Sequence, residues 1–388
     1  MLSPKSPLVK LTLLLASSMT VMAGATIAPA LPAMRDHFAA VPNVEYWVRL
    51  VLTMPALFIA LGAPFVGLII DRFGRKRLLA IAVLVVGVAG SSGFFLNELG
   101  EILIGRILLG LSVAGIMTTA TTLIADYYVG ADRAKFLGFQ AAFMGLGGVV
   151  FLSLGGLLAD VSWRMPFLVY LLALLIFPLV VFVLPEPDRT VDSVPGAQGL
   201  ASEPLPWRFV SLTYGVALLS QIVFYLIPTQ LPFLLKQLVN AGGSQSGIAI
   251  AIATLFNALS SFGYQNVKAR FSFMAIYMLA FALMAVGYSL ISVAPTYAIV
   301  LIGLAIAGLG LGLLVPNMNV CLTSVTPTPL RGRVLGGLTT AFFVGQFTSP
   351  IISQPLSQGL GLAVTYRLAA GLMLGLTAIA FGITRRWK

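Results

Sequence analysis

Long apolar stretches alternate with short polar breaks from one end of the chain to the other. Divided at charged or Pro/Gly-rich breaks, they form twelve runs, at 8–31, 46–70, 78–96, 100–125, 135–158, 165–184, 208–233, 246–266, 272–293, 296–322, 334–357 and 362–384. Each is near the length of about 20 apolar residues that a membrane-spanning helix needs. The pattern therefore predicts twelve transmembrane helices. The first run has Lys5 and Lys10 ahead of an apolar core and small residues near Ala23–Ala30, the layout of a signal peptide. It is read as a retained first helix.

Composition agrees with this and narrows the function. Of 388 residues, 59% are apolar and 9% are charged, against about 25% charged in soluble domains. The mean hydropathy is +1.01. A soluble enzyme, a nucleic-acid binder and a disordered chain are all disfavoured. The net charge of +11 does not rescue nucleic-acid binding, because the 23 basic residues are spread among hydrophobic spans and form no continuous basic face. One cysteine, Cys321, and one histidine, His37, leave no disulfide framework, thiolate metal site or multi-histidine centre. No phosphate-binding GxxxxGK[ST] motif is present, which disfavours ATP-driven transport, and no spacing supports a Ser-His-Asp or zinc site.

Twelve helices put both termini on one side. Of the 23 basic residues, 17 fall on that side and 5 on the other (Arg35, Arg49, Arg164, Lys236 and Arg367), with Arg106 inside the fourth run. This bias predicts cytoplasmic termini. The longest polar break, Pro185–Pro206, carries five prolines and reads as a linker. It divides the chain into a six-helix bundle at 1–184, a cytoplasmic linker at 185–207 and a second six-helix bundle at 208–388. The two halves repeat. At a shift of 198 residues, Ile104-Gly105-Arg106-Ile107-Leu108-Leu109-Gly110 falls on Ile302-Gly303-Leu304-Ala305-Ile306-Ala307-Gly308, and Arg133-Ala134-Lys135-Phe136-Leu137-Gly138 on Arg331-Gly332-Arg333-Val334-Leu335-Gly336. Parallel repeats with a site between them near mid-membrane are a transporter plan.

Between the second and third runs stands Gly67-Leu68-Ile69-Ile70-Asp71-Arg72-Phe73-Gly74-Arg75-Lys76-Arg77-Leu78-Leu79. This resembles the signature loop of the major facilitator superfamily, GxLaDrxGrkxxl, in residues, spacing and place. On chemistry alone, Gly67 permits close helix approach, Gly74 a tight turn, Asp71 an anionic contact at a helix N-terminus, and Arg75 an ion pair, for which Asp126 is the expected partner. The resemblance implies that Gly67, Asp71, Arg72, Gly74, Arg75, Lys76 and Asp126 form a gate holding the cytoplasmic ends of the halves together in an outward-facing state. The alternative is a positive-inside anchor without a gating role. The counterpart near Gln265–Arg270 keeps Lys268 and Arg270 but has no Asp or Gly pair, so an asymmetric latch is expected.

Arg106 is the charge deepest in a span, and its repeat partner is Leu304. Arg106-Ile107-Leu108-Leu109-Gly110 resembles the family's helix-4 motif RxxqG, which implies an anion-binding or proton-coupling arginine. The alternative is an arginine hydrogen-bonded to backbone carbonyls or snorkelling outward. Gly145-Leu146-Gly147-Gly148-Val149-Val150-Phe151-Leu152-Ser153-Leu154-Gly155-Gly156 resembles the antiporter motif GxxxGPxxGG, with Phe151 and Leu152 in place of the central Gly-Pro. Gly110, Gly147, Gly155 and Gly156 are expected to pack helices closely.

None of the twelve acidic residues lies near the centre of a span, and none follows Glu203. Proton coupling would therefore rest on rim groups: Asp36, Glu45, Asp126 or His37. The latter otherwise reads as a solvated loop histidine. Candidate cavity residues are Thr26, Gln140, Gln221, Tyr225, Gln230, Asn257, Asn317, Asn319 and Gln346, with Phe224 and Phe256 as apolar wall and Pro228 and Pro316 loosening their helices. Buried amides can equally be glue between helices.

These features predict an all-α integral membrane protein with twelve transmembrane helices in two pseudo-symmetric six-helix bundles. The overall pattern resembles the twelve-helix drug/proton antiporter group of the superfamily. That implies alternating access and proton-coupled export of a small apolar or amphipathic compound, without cofactor, metal or covalent chemistry. Its partners would be the solute, protons and the lipid bilayer, and it would work as a monomer in a bacterial inner membrane. The alternatives are transport of an anionic metabolite, sugar or siderophore through Arg106, and a lipid-handling or receptor-like protein.

Overall fold

The computed structural model describes residues 3–4, 6–187, 205–327 and 330–386. Most of the expected linker, 188–204, lies outside the described residues, as do Lys5, Lys388 and the side chain of Asp71. Among the described residues there are twelve helical spans: α1 (Pro7–His37), α2 (Val44–Phe73), α3 (Arg75–Phe94), α4 (Leu99–Tyr127), α5 (Gly130–Val161), α6 (Met165–Val183), α7 (Trp207–Val239), α8 (Gly243–Lys268), α9 (Phe273–Ser292), α10 (Tyr297–Val325), α11 (Arg331–Leu360) and α12 (Leu362–Arg386). Each matches one predicted run. Several, α1 and α7 above all, extend a turn or more beyond it, because amphipathic turns at the membrane margin stay helical after the apolar run has ended.

The spans form two six-helix bundles with the same internal packing. In the first, α4 lies against α2 and α3; in the second, α10 lies against α8 and α9. The repeat residues make equivalent contacts. Gly105 lets α4 approach Ala89 and Ser92 of α3, as Gly303 lets α10 approach Gly287 of α9. Gly110 meets Pro55 of α2, as Gly308 meets Ala253 of α8. A Cβ at any of these four would collide with the neighbouring helix, which is why glycine recurs at this spacing.

The first helix of each bundle is broken. In α1 the helix Pro7–Ala25 gives way to a tight turn at Ala28–Ala30 before Leu31–His37. In α7 the helix Trp207–Phe224 breaks at Tyr225 and resumes as Leu226–Val239. Pro29 and Pro228 lie four residues after Ala25 and Phe224, so neither donates the N–H that would continue the helix. Pro316, by contrast, is accommodated within an unbroken α10.

The start of α1, the end of α12 and the loop between α2 and α3 share one membrane face, here the near face. The bundles contact each other through α2 with α11 and α5 with α8, and through the far ends of α1 with α7 and α8.

Candidate functional site

The seam between the bundles is closed at the far face and parts toward the near face. Along the α5–α8 crossing, Gly156 abuts Gly243 and Gly247, Gly148 meets Thr254, and Gly145 meets Ala258. Nearer the near face the same two helices diverge, and added Cβ atoms at Gly138 of α5 and Gly263 of α8 would find nothing within 4 Å. Among the described residues, the hydrogen bonds joining the bundles lie at the seam's centre or farther out. The innermost joins the two broken helices at their breaks, where the Tyr225 hydroxyl donates to the Gly24 carbonyl over 3.2 Å.

The expected site residues are distributed around this seam. Gln221 of α7 and Gln346 of α11 face each other at 3.5 Å. Gln140 of α5 donates to Ser17 Oγ of α1 at 2.8 Å. Asn257 and Phe256 are half-buried on α8, as is Phe224, ahead of the α7 break. Thr26 is occupied with the Met22 carbonyl. Asn317 is fully buried and serves as glue: Tyr264 of α8 donates to its Oδ1, and its Nδ2 donates to the Phe273 carbonyl at the start of α9. Asn319 donates within its own helix, to Val315. His37 is exposed at the end of α1, with its ring against Phe38 and Trp163 at 4.8 and 5.1 Å.

Arg106 has a different environment from the one expected of a cavity charge. It is 1% exposed. Its Nε donates to the Val51 carbonyl at 2.9 Å, Nη1 to the Tyr170 hydroxyl at 2.9 Å, and Nη2 to the Ala23 carbonyl at 2.9 Å. Val51 is four residues before Pro55, which lies inside α2 and has no N–H to offer that carbonyl. Ala23 belongs to the last turn before the α1 break, where carbonyls lack helical donors. Arg106 therefore supplies hydrogen bonds that two proline-disturbed helices have lost, in a region where water is scarce. The second bundle meets the same need without an arginine. Around the α7 break, Tyr288 of α9 donates to Val223, Tyr366 of α12 to Leu226, and Ser349 of α11 to Ile222.

At the near face, Gly74 has φ +88° and joins α2 to α3 in a turn that L side chains rarely adopt. The Arg75 guanidinium meets the Asp126 carboxylate at 2.6 Å. Glu186, just after α6, accepts from the backbone N–H groups of Arg75 and Lys76 at 2.8 and 3.1 Å, placing an anion on the N-terminus of α3. The Tyr127 hydroxyl donates to the Pro185 carbonyl. All these partners belong to the first bundle or to the first residues of the linker that follows it. Arg72 lies over Phe73 at 5.8 Å, and nothing approaches the Cβ position of Gly67 within 4 Å. In α5, Gly147 and Gly155 pack on α1, against Ser18 and Thr26, while Gly156 packs across the seam.

Sequence reasoning missed Arg49, Gln230's role, Asp160 and Glu186. Arg49 enters the sequence reading only in the charge count of the side opposite the termini, but it is a 2% exposed residue of α2 that reaches Gln230 of α7. The available signal was its position inside the run 46–70, four residues after Glu45. Asp160 and Glu186 bind backbone N–H groups of distant helix starts, a contact without a sequence motif.

Comparisons with known proteins agree with this architecture. Multidrug resistance protein 1 of Bacillus subtilis is 35% identical over 136 residues, a match that spans only 34% of either chain. The Bacillibactin exporter of Bacillus subtilis is 24% identical over 83% of both chains. Among solved structures, a bacterial homolog to the human lysosomal transporter Spinster, in an inward-facing and occupied conformation, superposes with a TM-score of 0.79 over 99% of this chain and 98% of its own, at 17% identity. The model of the Major Facilitator Superfamily matches residues 13–350 and 213–387. With twelve spans in two like bundles meeting along a central seam, this multi-pass membrane protein belongs to the Major Facilitator Superfamily and is a transporter.

Proposed function

We propose that the protein exports a small apolar or amphipathic compound by alternating access, driven by the proton gradient. The observation that carries this reading is the chemistry of the seam. The helices bordering it carry amides and aromatic rings as the proposed lining (Gln140, Gln221, Tyr225, Phe256, Asn257, Gln346), and no carboxylate lies near the centre of any span. Such a surface matches a largely apolar solute with a few hydrogen-bonding groups. The basic-residue bias makes the near face cytoplasmic, which makes the present state inward-facing in a bacterial inner membrane. The working unit is a monomer. Proton coupling falls to rim carboxylates, Asp36, Glu45 and Asp126. The drug-efflux names among the relatives support export.

A second reading, transport of an anionic metabolite, sugar or siderophore, is favoured by one observation. The three acceptors of Arg106 are all neutral, so its charge biases the centre of the protein against cations. A lipid-handling or receptor role has no comparable support. The test is accumulation of one cationic and one anionic dye in efflux-deficient cells, with and without a protonophore. Protonophore-sensitive exclusion of the cationic dye supports drug/proton antiport. Exclusion of the anionic dye alone supports the second reading. No effect on either overturns multidrug export.

A further inference from the structure

The far face is held shut by contacts that no motif marks. At its centre is Arg49. Its Nη1 lies 2.6 Å from the carboxylate of Glu45, one turn earlier in α2, and 2.7 Å from the Glu45 carbonyl oxygen. Its Nε and Nη2 both donate to Oε1 of Gln230 in α7, at 3.1 and 2.9 Å. The guanidinium stacks on the Phe233 ring at 3.9 Å. Gln230 in turn donates to Ser353 Oγ at 2.9 Å and Gln354 Oε1 at 3.3 Å in α11. Arg49, Gln230, Ser353 and Gln354 are all almost wholly buried. A second contact lies at the far end of the α5–α8 crossing, where the Asp160 carboxylate accepts from the backbone N–H groups of Gly243 and Ser244 at 2.5 and 3.1 Å and so caps α8 from the opposite bundle.

We propose that Arg49–Gln230–Phe233 and Asp160–α8 together form the far-face latch of the transport cycle; this rests on the alternating-access reading above. Both contacts are asymmetric in the same way. The first bundle supplies every formal charge, and the second supplies an amide, a ring and a helix N-terminus. When the bundles separate, Arg49 keeps Glu45 as its partner, because both belong to α2. Asp160 and the freed α8 N–H groups, which are solvent-exposed, pass to water. No buried charge is stranded on opening, whereas a buried ion pair divided between the bundles would strand one. The latch is thus specific when shut and inexpensive to release, as a gate that opens every cycle requires.

The test reads conformation and needs no transported compound. In a Cys321→Ser background, spin labels at Val161→Cys and Val293→Cys report separation of the bundles at the far face. Labels at Val129→Cys and Phe271→Cys report it at the near face. All four positions are exposed. Gln230→Leu, which removes the acceptor while keeping the Arg49–Glu45 pair, and Asp160→Asn, which weakens the helix cap, are each expected to raise the far-open population several-fold. The far-face distances lengthen while the near-face distances shorten. The double variant exceeds either single one, and Arg49→Lys, which keeps the charge but loses the two-pronged contact, behaves like Gln230→Leu. Unchanged distributions overturn the latch, as does lengthening at both faces, which reports loss of packing. A negative dye assay with these anti-correlated shifts would reject the proposed substrate and keep the latch.

Discussion

The two buried arginines have opposite jobs, although both stand in apolar runs. Arg106 repairs a bundle from within, and Arg49 reaches out of one. The position of Arg106 could be recognised from the sequence as a lone charge deep in a span. Its purpose could not, because the need it answers is created by Pro55 in one helix and by the α1 break in another, and only packing brings these together. The carbonyl-bonded alternative describes what the structure contains. An unpaired buried acceptor costs about 1–3 kcal/mol, so Arg106→Ala is expected to lower the thermal unfolding midpoint of the purified protein in detergent. Tyr170→Phe, which removes one hydroxyl, lowers it less. Pro55→Ala restores an N–H in reach of Val51, so the loss on Arg106→Ala should be smaller in that background. A double-mutant cycle measures this directly. Strict additivity would show that the Val51 contact is not what Arg106 is needed for.

At the scale of the element, helix number and order were legible because twelve apolar runs separated by charged or Pro/Gly breaks allow few other arrangements. Helix ends and breaks were less so. Two prolines of similar standing, Pro228 and Pro316, behave differently. The first follows a break whose carbonyls find donors in Tyr288, Tyr366 and Ser349, while the second sits in a helix that stays continuous. Which proline breaks a helix depends on donors in other helices, which no local pattern encodes. The glycines of α5 were legible as packing residues, but their partners were not. Gly147 and Gly155 serve α1, whereas Gly156 serves the opposite bundle. A methyl group at Gly156 would sit 2.7 Å from the Gly243 carbonyl oxygen, and one at Gly138 would meet nothing within 4 Å. Gly156→Ala is therefore expected to lower the unfolding midpoint by several degrees and to impair solute transport. Gly138→Ala should leave that midpoint at or slightly above the wild-type value, since alanine favours the helix by up to about 1 kcal/mol. Equal midpoints would show that the α5–α8 contact contributes little to holding this state.

For the whole molecule, the governing asymmetry is that no carboxylate follows Glu203. Any side-chain anion that closes the far face must come from the first bundle, and one that closes the near face from the first bundle or the linker. At the far face, Asp160 already caps a helix of the second bundle. At the near face two anions are engaged beside the first bundle: Asp126 holds Arg75, and Glu186 caps α3. Across the open gap, α11 begins with the exposed Arg331 and Arg333. Closing the near face would bring the α2–α3 loop toward that helix start, where both the helix N-terminus and the arginines favour an incoming anion. Asp71, the acid of the signature loop, stands directly before the basic stretch that begins at Arg72. If it closes the gate, removing its charge should slow the cycle without harming the folded protein. Asp71→Asn is expected to reduce initial transport rates in reconstituted vesicles several-fold, with membrane expression and unfolding midpoint at wild-type levels. Wild-type rates would reduce the loop to an anchor set by its cations. Lost expression would mean that Asp71 stabilises the first bundle, and the near face would then have to close without an anion from this loop.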